Sequence, residues 1–116
     1  MTKRYSIVIS STVAVQVKGS LKDSNGSPVP FKFSLTCKRL PASELKNRVS
    51  SGDFDVKEIM KEVTTEWKGQ RLINDEETKQ PAEFCEEAFE ALLDIGGMAL
   101  LCFNAYAKET SANEKN

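Results

Sequence analysis

Histidine does not occur anywhere in the 116 residues. The side chain that most often serves as a general base near neutral pH, and most often ligates transition metals, is therefore missing. Cysteine is sparse as well. Cys37, Cys85 and Cys102 are an odd set that cannot close a disulfide framework, and none has a second thiol at the short spacing of a zinc site. Reduced thiols in a cytosolic compartment fit this usage, with Cys37 and Cys85 expected on apolar faces as small hydrophobes. Long apolar runs are absent too. The longest, Met98 to Phe103, is far short of the ~20 residues that cross a bilayer, so no membrane partner is expected. The start, "MTKRYSIVISSTVAV", has the basic residues of a signal peptide, but Ser6, Ser10, Ser11 and Thr12 interrupt its apolar stretch.

Further chemistries drop out on spacing. Gly96-Gly97 follows a helical pattern instead of opening one, so it is no phosphate cradle. The acidic groups Asp75, Glu76, Glu77 and Glu86, Glu87 lack the alternating ligands and central glycine of a calcium loop and read as solvated surface. The sequence therefore offers no catalytic, metal-binding or cofactor-binding residue, and a non-enzymatic protein with no cofactor is expected.

What the chain does contain is enough apolar residue, 40% against 28% charged, for one folded domain, expected over 1–110 with a flexible tail over 111–116. Val13, Val15 and Val17 alternate with Ala14, Gln16 and Lys18. In "VPFKFSLTCKRL", Val29, Phe31, Phe33, Leu35 and Cys37 do the same. Two half-buried strands follow from that period, joined through Asn25-Gly26 as an antiparallel β-hairpin. Tyr5, Ile7 and Ile9 offer a further short strand or an arm for a neighbouring subunit.

The remainder has helical spacing. "PASELKNRVSS" predicts a short helix with Leu45 and Val49 inward and a stop at Gly52. Asp53 or Asp55 caps the next, whose Val56, Ile59, Met60, Val63 and Trp67 recur every three or four residues until Gly69. Pro81 opens a third, "AEFCEEAFEALLDI", and "MALLCFNAYAKE" forms a fourth after the Gly-Gly break. The fold class is thus α+β: an N-terminal antiparallel hairpin or small sheet followed by about four helices.

Two features point to partners. Residues 1–52 carry nine Lys and Arg against two Asp and Glu, whereas residues 53–94 carry five against thirteen, although the whole chain sums to only -1. The halves are either solvated faces or the two sides of a head-to-tail homo-oligomer. The last two helices also hold more apolar surface than a hairpin is expected to cover. Phe84, Phe89, Leu93, Met98, Leu101, Phe103 and Tyr106 are therefore candidate partner-binding residues. Nucleic acid is a weak alternative, because Lys18, Lys32 and Lys38 share the polar face of the hairpin but no aromatic ring joins them there.

The order of features resembles the tail assembly chaperones of long-tailed bacteriophages over roughly Phe31 to Asn116. The match consists of a strand-to-helix passage "FSLTCKRLPASEL", a helix ending in tryptophan, a polar excursion, and a Pro and Phe before a Leu-Leu pair. Trp67, Pro81, Phe84, Leu92 and Leu93 fill those places as structural anchors and Asp75 to Glu77 stand for the acidic loop, although "NDEETKQ" lacks the Asp-Gly turn common in that layout. The resemblance implies a chaperone that coats the tape-measure protein, helps recruit tail-tube protein, works in the host cell cytoplasm and is absent from the finished virion. A structural tail-tube or connector subunit, or a small nucleic-acid-binding regulator, are the alternatives.

The same resemblance implies a longer frameshifted product. Glu114, Lys115 and Asn116 can be encoded GAA AAA AAC, a run on which two tRNAs slip back and still pair. The gene should show that run and an overlapping frame; an AAG codon at Lys115 removes the idea.

Overall fold

The computed structural model describes residue 5, residues 8–52 and residues 54–112. Ile7, the alternative cap Asp53, and the candidate frameshift residues Glu114, Lys115 and Asn116 lie outside the described residues. Tyr5, Val8 and Ile9 are exposed and belong to no strand.

The chain is α+β. Strands β1 (Thr12–Lys22) and β2 (Pro28–Lys38) form the expected antiparallel hairpin, with Val15 opposite Leu35 and Val17 opposite Phe33. Their strict alternation fixes the register, because a slip of one residue would turn Val15, Val17, Phe33, Leu35 and Cys37 out to solvent. The connecting turn is organised by Asp23, whose carboxylate accepts from the backbone N–H groups of Asn25 (2.9 Å) and Ser27 (3.0 Å). Gly26 supplies the left-handed φ of 79° that the turn needs.

Helix α1 (Ala42–Ser51) ends at Gly52, as its sequence predicts. Leu45 packs against the core, but Val49 is 59% exposed, so only part of the expected inward pair is buried. Helix α2 (Val56–Val63) begins at Asp55, whose side chain accepts from the N–H groups of Lys57 and Glu58. It then stops at Val63, about one turn sooner than its apolar spacing implies.

Residues Thr64–Lys68 form β3, a third strand on the free side of β2, so the helix expected to end in Trp67 is corrected to a helix followed by a strand. Val63, Thr64 and Thr65 explain the switch, since consecutive β-branched residues lose side-chain freedom in a helix and suit a pleated surface. A bulge falls between the Thr36–Glu66 and Cys37–Thr64 pairings. Thr65 Oγ1 donates to the Thr36 carbonyl there at 3.2 Å.

The third helix also starts later than expected. Pro81 lies in an extended segment bridged to Asn74, and α3 (Glu86–Leu93) begins only after Cys85, whose sulfur accepts from the Ala88 N–H. Gly97, with φ of 81°, turns the chain into α4 (Met98–Thr110), bent by 102° from α3. Among the described residues no single helix is long and apolar enough to cross a membrane.

The helices cover one face of the sheet. Ile59, Met60 and Val63 of α2, Phe89, Leu92 and Leu93 of α3, and Met98, Cys102 and Tyr106 of α4 meet the inward residues of β1, β2 and β3 in one core. Gly19 permits the close approach of α4 to β1, since a Cβ there would sit 3.1 Å from the end of Leu101 and 3.0 Å from the Phe31 ring. Tyr106 ties α4 to the end of β2: its buried hydroxyl donates to the Lys38 carbonyl (2.7 Å) and accepts from the Leu40 N–H (2.9 Å).

A second polar anchor holds the excursion after β3. Gln70 is only 3% exposed; its amide nitrogen donates to the carbonyls of Ile73 (2.9 Å) and Ala82 (3.2 Å). Its oxygen accepts from the N–H groups of Leu72 (3.0 Å) and Ile73 (2.8 Å). The Trp67 indole N–H donates to the same Ala82 carbonyl at 3.1 Å. Gln70→Leu removes all four Gln70 bonds and should cost about 3 kcal/mol in urea unfolding, whereas Tyr106→Phe should cost about 2 kcal/mol. Losses below about 0.5 kcal/mol would show that water replaces these bonds without penalty.

Candidate protein-binding surface

The residues predicted to meet partners divide into two groups. Phe89, Leu93, Met98 and Tyr106 are buried within the chain, which corrects their expected place on a partner-binding surface; Leu92, expected as an anchor, is buried as well. The unforeseen third strand gives them more to pack against: Trp67 on β3 meets Phe84 edge-on at 5.4 Å and Phe89 at 6.2 Å. Phe84 and Phe89 complete the cluster at 5.5 Å. Trp67, Phe84, Leu92 and Leu93, singled out as structural anchors, thus belong to or pack against one core, while Pro81 is exposed.

Phe84, Leu101 and Phe103 are half-buried, so each keeps some surface. Leu101 spends its side chain on the Gly19 gap. Phe103 faces outward enough to meet Phe54, which precedes α2 and is 41% exposed, edge-on at 5.4 Å. Leu100, one helical turn before Phe103 and 54% exposed, continues the apolar strip along α4. Scattered exposed aliphatics are ordinary, but an aromatic pair with a leucine one turn away leaves a contiguous apolar strip open to solvent. Phe54 and Leu100 escaped the sequence reading because Phe54 stands outside any periodic run, and Leu100 is flanked by residues that are partly or wholly buried.

Two open clefts adjoin the polar excursion. One runs beside β3 and is lined by residues from Thr65 to Arg71 and from Pro81 to Phe84. The other lies between the excursion and the start of α3, lined in part by Asp75, Glu76, Glu83 and Glu87. The turn above it has no glycine; Lys79 adopts the left-handed φ of 61° instead, while the Asp75 carboxylate accepts from the N–H groups of Glu77 (2.8 Å) and Thr78 (3.3 Å). Among the described residues no group of His, Cys, Asp and Glu is arranged to hold a metal ion.

Comparison of the chain with protein-family models, with curated proteins and with solved structures finds no match.

The thiols separate by burial. Cys37 and Cys102 are fully enclosed, and burial pushes the Cys102 thiol from its ordinary 9.0 up to about 12. Cys85 is exposed at the mouth of the acidic cleft, which corrects its expected place on an apolar face. A thiol reagent should modify Cys85 in the folded protein and reach Cys37 and Cys102 only on unfolding. The raised Cys102 value makes the unfolded chain release its proton first. Its contribution to stability is whole below about pH 9 and falls as pH rises towards 12. Cys102→Ala should therefore flatten the alkaline limb of stability against pH, and an unchanged limb would assign that slope to other groups.

Proposed function

We propose that this protein is a non-enzymatic tail assembly chaperone of a long-tailed bacteriophage, which shields the tape-measure protein during tail construction and helps bring tail-tube protein to it. The reading combines the sequence resemblance with one structural observation, the apolar strip of Phe54, Leu100 and Phe103. A tape-measure helix presents apolar stripes that aggregate in water, and a strip of this kind covers such a stripe without chemistry. A contact this small releases its partner readily, as a factor that works in the host cytoplasm and is absent from the finished virion requires. Many copies along a rod supply the retention that each lacks alone.

The resemblance loses one mark, since Trp67 closes a strand instead of a helix. The excursion from Trp67 and the return of Phe84 to the tryptophan ring survive that change.

Co-expression with the very long, helix-rich reading frame expected next to the gene tests the proposal. The tape-measure product should stay soluble with this chain and precipitate without it. Leu100→Glu places a charge in the strip and should weaken the complex by about 2 kcal/mol, roughly thirtyfold, while leaving the melting temperature within a few degrees. Unchanged precipitation overturns the reading. Recovery of the protein from intact virions by mass spectrometry would favour a structural tail-tube or connector subunit.

A further inference from the structure

The sheet has a face that no helix covers. Cross-strand pairing places Lys18, Lys22, Lys32, Lys38 and Lys68 on it, among Ala14, Gln16, Ser20, Ser34 and Thr36. Lys18 stands directly opposite Lys32, an arrangement that repels unless something negative lies over it. None of these lysines enters an ion pair among the described residues. Glu66, opposite Thr36, is the single carboxylate that the pairing puts on this face among the described residues.

The opposite deficit exists elsewhere. The cleft between the excursion and α3 is lined by Asp75, Glu76, Glu83 and Glu87 and by no lysine or arginine. Two other acids near α3 are already answered, Glu90 by Lys57 (3.5 Å) and Lys61 (3.6 Å), and Asp94 by Lys57 (4.0 Å). None of the cleft carboxylates enters such a pair among the described residues.

We infer that a second copy of this chain supplies the missing counter-charges, the lysine face of one subunit docking on the acidic cleft of the next. The two surfaces are different parts of the molecule, so the contact is heterologous and leaves one of each free at the ends. It propagates into a ring or a filament according to the rotation between neighbours. A second copy fits better than nucleic acid. The face presents no aromatic ring for a base, because Phe31 and Phe33 alternate to the core side, and a chain of net charge -1 has carboxylates to repel a phosphate backbone. The inference stands on these charges and does not rest on the proposed function, whose strip of Phe54, Leu100 and Phe103 is separate.

Sedimentation velocity of the nuclease-treated full-length protein tests it. Species larger than the monomer should be present at about 0.02 M salt and dissociate by about 0.5 M, where screening shortens to a few ångströms. Lys18→Glu/Lys32→Glu and Glu83→Lys/Glu87→Lys should each weaken low-salt association by at least about tenfold. Mixed together, they should associate again, because the reversed face of one meets the reversed cleft of the other. Circular dichroism checks that both variants fold, and the wild-type salt series stands without them. A monomer at low salt, assembly indifferent to salt, assembly lost on nuclease treatment, or a mixture that stays dissociated would each overturn the inference.

Discussion

The Ala82 carbonyl, taken jointly by the Trp67 indole and the Gln70 amide, is the contact on which the second half of the molecule depends. Between β3 and α3 the chain makes a long polar excursion with almost no regular structure, yet it must deliver Phe84 back to the tryptophan ring. Backbone groups that turn inward on such a path need partners, since an unpaired buried N–H or carbonyl costs as much as a hydrogen bond gains. Gln70 is the one side chain there that both donates twice and accepts twice, and it stitches Leu72, Ile73 and Ala82 into place. The direction in which α3 starts, and with it the packing of Phe89 and Leu93, follows from where Ala82 is held.

The hairpin was legible because one of its faces is buried and the other is not, so the period of two is written into the residues themselves. The last helix was legible from its length and from the Gly-Gly break before it. The spacing of Trp67 from Val63 suits a helix, yet a buried side chain at that point suits a strand as well, and Trp67 lies in β3. The β-branched pair Thr64 and Thr65 was the available signal. The start of α3 is not legible locally because proline is acceptable both in a first helical turn and in an extended bridge, and only the pairing with Asn74 distinguishes the two. Apolar pattern alone also cannot separate a core from an interface. Phe89, Leu93, Met98 and Tyr106 proved to be core because the sheet they cover has three strands, which no local spacing announced.

Polar bonds and charge divide the surface into distinct duties. Arg48 joins α1 to α2 through Glu62, and Lys57 and Lys61 join α2 to α3, so the helical layer is laced by its own ion pairs. Exposed pairs of this kind contribute little stability each, but they determine which charges stay available to other molecules. The open sheet face and the acidic cleft are what they leave.

The packing of α4 across β1, with Leu101 set against Gly19, bears on synthesis at the ribosome. The hairpin emerges early, yet Val15, Val17 and Phe33 stay wet until a segment from much farther along the chain has been translated. Vectorial folding is thereby postponed, and the nascent strands, unable to bury their greasy side alone, depend on rapid elongation or on a holdase during the interval.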